Sequence, residues 1–366
     1  MATIQDAIQE NPDSINSINK IDIQDSDVKK MMDRYHFSDD IKSNIEQENL
    51  LPAGVLSRLH SCFPHHSGIM ETTEFLFTGK EHYAGLNGFR EIVETLSKNG
   101  IDIGHIKARE FFIEVYRFLA TKHVLNTINW NDFANDSLFQ LVFPQPEMIQ
   151  ADAVKLYLDA KTDDERKTVV NEYMKETNPH DGNQLLNKPW FKNEDGELEI
   201  LDGCQHKYPQ CILLFDKTTQ SCFSFCTYCF RHAQGRGDED MFIQREIKQV
   251  HDYLELHTEI TDVLMTGGDA GQMSYERLEQ YVLPLIENPK LMHIRTLRLG
   301  TRALTFAPEM ILDNKYNKFL DLLRKLNNNG VQVVWMAHIS TPRELMNIST
   351  IAAVRRLRSA GIVIKS

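Results

Sequence analysis

From Cys211 onward the chain alternates short, largely apolar runs with helical patterns, and this alternation restricts the fold more than any other feature of the sequence. Cys211-Ile-Leu-Leu-Phe215 is continuous, and four similar runs follow: Val263-Leu-Met265, Ile294 to Leu299, Val331 to Trp335 and Ile362-Val-Ile364. A short continuous apolar run such as the first predicts a strand buried on both faces. Between them Ile247/Val250/Leu254, Leu278/Tyr281/Val282 behind an N-cap at Ser274, Phe319/Leu322/Leu323/Leu326 before Gly330, and Ile351/Val354/Leu357 before Gly361 recur at three and four residues and predict helices. Strands separated by helices require parallel pairing through right-handed crossovers, so residues 206–366 read as an α/β sheet or barrel. The fifth run ends at Lys365 and Ser366, where such an array normally continues, so the barrel is expected to be partial and truncated inside its fifth strand.

Upstream the texture is different. Residues 1–50 are polar and weakly periodic, which predicts a loose or peripheral segment. Residues 51–205 read as a mainly helical N-terminal domain: Phe89/Ile92/Val93/Leu96 mark one helix before Gly100, and Phe111/Phe112/Val115/Tyr116/Leu119 mark a second. Residues 151–176 add one or two more helices, and 178–203, rich in Asn, Pro, Gly and Asp, reads as a long surface loop.

Composition removes several function classes. With 40 Lys+Arg against 52 Asp+Glu the formal charge is −12, which repels phosphate backbones and provides no polybasic patch for anionic lipid, so no nucleic-acid or membrane partner is expected. No apolar run reaches the roughly 20 residues that span a bilayer, and the polar N-terminus lacks the basic start and apolar stretch of a secretory signal, which predicts a cytoplasmic protein. In that compartment cysteines bind metal more often than they form disulfides. Of the six cysteines, Cys222, Cys226 and Cys229 fall within eight residues.

Cys222-Phe-Ser-Phe-Cys226-Thr-Tyr-Cys229 has C-x3-C-x2-C spacing on the loop after the first predicted strand. Three thiolates from one loop hold three irons of a [4Fe–4S] cluster and leave the fourth open to a small molecule. The alternative is a structural zinc ion, with His232 as the fourth ligand of a C-x3-C-x2-C-x2-H series. A position at the carboxyl end of a barrel-type strand, where active sites are built, favours the cluster. Gly267-Gly268-Asp269 follows the second strand, where bare backbone approaches a ligand closely and a carboxylate accepts hydrogen bonds; the same residues also suit a tight turn with Asp269 as a cap. Arg302 after the third strand suits a carboxylate partner or a surface ion pair, and His338 after the fourth suits a ribose, an adenine or a satisfied core position.

These motifs together resemble the radical S-adenosylmethionine (SAM) superfamily, and within it the lysine 2,3-aminomutase family. The likeness rests on the cysteine spacing with Tyr228 before the last Cys and Phe230-Arg231 after it, Lys207-Tyr208-Pro209, Leu264-Met-Thr-Gly-Gly-Asp269, Arg298-Leu-Gly-Thr-Arg302, and His338 with Pro342, in family order over about residues 105–366. The resemblance implies a radical-SAM partial (β/α) barrel, a [4Fe–4S] cluster on Cys222, Cys226 and Cys229, and SAM held by Tyr228, Gly267, Gly268, Asp269, Arg302 and His338. It implies reductive cleavage of SAM to a 5′-deoxyadenosyl radical that takes hydrogen from an amino-acid substrate, with an external electron donor of flavodoxin or ferredoxin type and, in the complete protein, pyridoxal phosphate (PLP) for amino-group migration. A homo-oligomer is also expected.

Two departures matter. Lys365 precedes the region where the family's PLP lysine falls and reads as structural. Where the family usually reads Tyr-Pro-Asp-Arg, this chain reads Tyr208-Pro209-Gln210-Cys211, which removes a guanidinium and predicts poor handling of free lysine; Lys207, Lys217 and Arg231 are the nearby cations.

Overall fold

In the computed structural model, which describes residues 21–63, 69, 76–177, 187–193, 195–229, 231–232 and 242–366, the upstream periodicity resolves into helices and short strand pairs. Residues 1–20, the first part of the segment expected to be loose, lie outside the described residues; the rest of it forms helices Asp25–Arg34 and Asp39–Gln47. Burial of Val28, Met32, Ile41 and Ile45 explains why a polar stretch folds: a few apolar residues at helical spacing find a partner surface. Asn44 donates to the Leu312 carbonyl (2.9 Å), and the almost fully buried Arg356 reaches Glu48 (3.0 Å).

Helices Ala53–Cys62, Gly85–Lys98 and Ile106–Val115 follow, with strand β1 (His82–Ala84) antiparallel to β2 (Leu119–Thr121). Leu119, expected on a helix, lies in β2 because the helix ends at Val115 and Arg117 turns the backbone to φ 119°, outside helical space. Helices Lys122–Thr127, Ser137–Val142, Ala151–Asp159 and Asp163–Glu176 complete this part, the last opened by a Thr162/Glu165 capping box. Of the expected 178–203 loop, 178–186 lie outside the described residues, and the remainder includes a hairpin of β3 (Trp190–Lys192) and β4 (Leu198–Ile200) around buried Phe191.

All five apolar runs become strands of one six-stranded sheet: β6 (Cys211–Phe215), β7 (Asp262–Thr266), β8 (Thr296–Thr301), β9 (Gln332–Ala337) and β10 (Val363–Lys365). They pair in parallel in sequence order, and β5 (Cys204–Tyr208) adds an antiparallel edge. The architecture is mixed α/β. Helices Ile247–Leu256, Tyr275–Val282, Asn317–Asn328 and Ile348–Ser359 connect the strands, with Ser274 capping the second as expected.

Burial on both faces is not what the strands show. Ile212, Leu214, Val263, Met265, Leu297, Leu299, Val333 and Trp335 are buried on one face, whereas on the other Cys211, Leu213, Asp262, Leu264, Thr296 and Arg298 are half-buried and only Phe215 and Val334 of the residues in these stretches are fully covered. In β6 the apolar residues on both faces conceal this difference; in β8 the alternation Thr296-Leu-Arg-Leu299 follows it. Among the described residues the larger buried cluster extends from Ile23 to Ile362 and joins the upstream helices to the sheet, and a smaller one, around Phe111, Phe112, Tyr157 and Tyr173, lies within the upstream helices. Among the described residues no helix is long and apolar enough to cross a membrane.

Candidate active site

Because β6 to β9 are parallel, the turns that follow them emerge at one edge of the sheet, and this edge collects the predicted residues. After β6, Asp216 is fully buried and caps the turn Lys217–Thr219, its Oδ1 accepting from Thr218 N–H (2.8 Å). Its Oδ2 accepts from Arg277 Nε (2.9 Å) and Nη2 (2.6 Å) and from the Tyr281 hydroxyl (2.8 Å). Burial alone raises this carboxyl; the bonds from Arg277, Thr218 and Tyr281 outweigh it and hold the group below its ordinary range. Lys217, one of the nearby cations, lies in this turn.

The cysteine loop is then fastened to the upstream helices. Thr121 N–H donates to the buried Ser224 hydroxyl (3.0 Å), Phe225 N–H to the Leu119 carbonyl (2.7 Å), and Thr227 N–H to the Leu141 carbonyl (2.8 Å). Cys229 N–H donates to the Cys226 carbonyl (3.0 Å), closing the loop between two of the thiols. The three thiols sense one another: burial first, then Asp269, Cys226 and Cys229, raise Cys222 far above its ordinary value. Burial pushes Cys226 up to about 12, opposed by Arg302, and raises Cys229, opposed by Arg231. Arg231 lies over the Phe215 ring at 4.1 Å; Phe230 lies outside the described residues.

After β7, Gly267 has φ 144°, and a Cβ there would stand 2.4 Å from Thr219 Oγ1. A Cβ on Gly268 would stand 2.6 Å from the Ser221 carbonyl oxygen. Only glycine lets this turn lie against the start of the cysteine loop, where Gly268 N–H donates to the Thr219 carbonyl (2.6 Å). Asp269, 2 % exposed, caps the turn Ala270–Gln272, accepting from Gly271 N–H (2.8 Å) and from Arg302 N–H (2.8 Å). Burial pushes its pKa up to about 6 against the hydrogen bonds from Thr301, Arg302 and Gly271.

Arg302 is the hub. Its Nη1 donates to Glu344 Oε1 (2.6 Å), its Nη2 to the Tyr228 hydroxyl (2.5 Å) and to Ser340 Oγ (2.6 Å), and its guanidinium lies 4.7 Å from the Phe306 ring centroid. Burial works against the charge, and Cys226, Glu344 and Tyr228 more than offset it, so Arg302 stays protonated. The Tyr228 hydroxyl also shares hydrogen bonds with Ser340 Oγ (2.7 Å) and His338 Nε2 (3.1 Å). Burial, then Arg302, lowers His338, leaving it neutral at pH 7. Tyr228, Asp269, Arg302 and His338, read from four separate motifs, thus form one bonded group beside the thiols.

Sequence reasoning missed Ser340 and Glu344. Glu344 is fully buried and accepts from Ser340 N–H (2.7 Å) and Thr341 N–H (2.8 Å); the Thr341-Pro-Arg-Glu344 capping box was its available signal. It also missed what surrounds position 211. Cys211 pairs with Asp262 at the start of β6, four residues before the end from which the cysteine loop departs. There Arg298 of β8 donates from Nη2 to Cys211 Sγ (2.8 Å) and from Nε to Asp262 (2.7 Å). The Arg298 guanidinium thus stands beside position 211, already engaged by Cys211 and Asp262.

The chemistry of these donors suits a [4Fe–4S] cluster. Three thiols on one stapled loop would hold iron as thiolates, and the cations Arg302 and Arg231 beside them would offset that charge. Among the described residues no three His, Cys, Asp or Glu side chains, those of this loop included, stand in a group that could hold a metal ion. His232 is buried and packs edge-on against Tyr116, ring centroids 5.0 Å apart.

The motif resemblance is matched by similarity along the chain. It is 29% identical over 233 residues to an Aquifex aeolicus protein provisionally named L-lysine 2,3-aminomutase, covering 63% of this chain and 50% of the relative. It is 32% identical over 183 residues to the L-lysine 2,3-aminomutase of Clostridium subterminale (48% and 40%) and 31% identical over 191 residues to the glutamate 2,3-aminomutase of Clostridioides difficile (49% and 42%). The chain spans about half the length, or less, of these relatives. No protein-family model matches it.

Proposed function

We propose that this chain carries the radical SAM core of an aminomutase-type isomerase: Cys222, Cys226 and Cys229 hold a [4Fe–4S] cluster, and Tyr228, Gly267, Gly268, Asp269, Arg302 and His338 hold SAM. The observation that carries the reading is the convergence, at one sheet edge, of a three-thiol loop with the bonded group around Arg302. When bound, the cluster and SAM supply a 5′-deoxyadenosyl radical for hydrogen abstraction from an amino acid.

The protein's own work is positioning and exclusion. Gly267 and Gly268 bring bare backbone against the cysteine loop, Asp269 offers an acceptor for an ammonium group, Arg302 a fork for a carboxylate, and neutral His338 a partner for ribose or adenine. The half-buried face of β6 to β9 forms the wall of a partial barrel and receives the substrate, an amino acid of the kind the relatives' names give. PLP belongs to this reading through the resemblance. Lys365 is kept as a structural residue of the edge strand β10, in register with Met336, and no step is derived through PLP. The electron comes from an external flavodoxin- or ferredoxin-type donor.

Anaerobic reconstitution with iron and sulfide, reduction and addition of SAM test the reading. Release of 5′-deoxyadenosine and methionine, abolished by Cys226→Ala, is the expected result. Release no greater than that of Cys226→Ala contradicts it.

A further inference from the structure

We infer that Glu344 is a positioning residue for Arg302, setting which edge of the guanidinium meets the carboxylate of SAM; the inference rests on the functional reading above. Glu344 is fully buried and its two oxygens have different tasks. Oε2 accepts from the backbone N–H groups of Ser340 (2.7 Å) and Thr341 (2.8 Å), which fixes the carboxylate to the turn after β9. Oε1 accepts from Arg302 Nη1 (2.6 Å) and closes that edge of the fork.

The other edge is held differently. Among the described residues Arg302 Nη2 is bonded only to two hydroxyls, those of Tyr228 and Ser340, and Tyr228 is 47 % exposed. Nε is buried with no hydrogen-bond partner among the described residues. An incoming carboxylate exchanges neutral hydroxyl contacts at Nη2 for charge-assisted ones, whereas at Nη1 it would have to displace a buried anion. Phe306 supports the guanidinium plane against rotation. Glu344 therefore selects the Nη2 edge without touching the ligand.

The test is equilibrium binding to the 366-residue chain of two probes, SAM and decarboxylated SAM, which lacks the carboxylate. For Glu344→Gln the expected result is a Kd for SAM about tenfold or more higher with the Kd for decarboxylated SAM within about twofold of the unaltered chain, a coupling typical of groups in one network. Ser340→Ala, which removes only a displaceable hydroxyl, is expected to keep SAM binding within about twofold. Equal weakening of both probes by Glu344→Gln marks a merely structural role and overturns the inference, as does an unchanged Kd for SAM. If Glu344→Gln does not fold, Arg302→Lys carries the test: it keeps the charge and loses the fork, so binding of SAM at unaltered affinity overturns the inference. Failure of the unaltered chain to bind SAM overturns the functional reading, and with it this one.

Discussion

Asp216 shows how one side chain holds the turn that leads into the site. Its carboxylate is fully buried and gathers Arg277, Tyr281 and Thr218 at the point where β6 turns toward the cysteines. Asp216→Asn leaves Arg277 facing a neutral group in a buried network, and breaking such pairs costs about 3–5 kcal/mol, measurable as a lowered urea midpoint. The sign of the pH dependence follows from its lowered pKa: the contribution is present above about pH 4, the ordinary range of an aspartate, and is lost as the pH falls through the lower folded value. Asp216→Asn therefore flattens the acid limb of a stability-versus-pH curve, and an acid limb as steep as that of the unaltered chain contradicts this account. Gly268→Ala is the second test at this scale. Its Cβ would meet the Ser221 carbonyl oxygen at 2.6 Å, and backbone cannot yield as a side chain does, so SAM binding falls at least about tenfold while iron content is kept. The cysteines and Gly267-Gly268-Asp269 were legible because each is a dense local signal. Glu344 and Arg298 were not, because their partners lie 42 and 87 residues away, a separation that no local pattern records.

Among the elements, the cysteine loop and the upstream helices depend on each other. The loop has no regular structure of its own and borrows backbone partners from β2 and the helix Ser137–Val142. Ser224→Ala removes the acceptor of the buried Thr121 N–H, an unsatisfied donor costing about 1–3 kcal/mol, and amide exchange at Phe225 and Thr227 accelerates with it. Unchanged protection at those amides would show that the loop is held elsewhere. Strands β6 to β10 were readable because each holds a short, largely apolar run between helical patterns. Strand β5 was not, since Cys204-Gln-His-Lys-Tyr208 is a polar edge strand whose partner, β6, supplies its reason to form. Residues 25–47 were misread for the same cause: their helices are stabilised by contacts with segments more than 250 residues away, including Asn44 to Leu312.

Across the whole molecule, the larger buried cluster joins the upstream helices to the sheet, and the proposed chemistry lies where that cluster meets the open sheet edge. Net charge and the lack of long apolar runs narrowed the partners from the sequence alone, while the half-buried face of the sheet emerged only from the packing. The central claim is that Cys222, Cys226 and Cys229 carry a SAM-binding cluster. Electron paramagnetic resonance of the anaerobically reconstituted, reduced chain tests it most directly. The account predicts the signal of a reduced [4Fe–4S] cluster at about four irons per chain, changed by added SAM and lost in Cys226→Ala. A colourless protein with stoichiometric zinc and no such signal, or a cluster retained in full by Cys226→Ala, would contradict it.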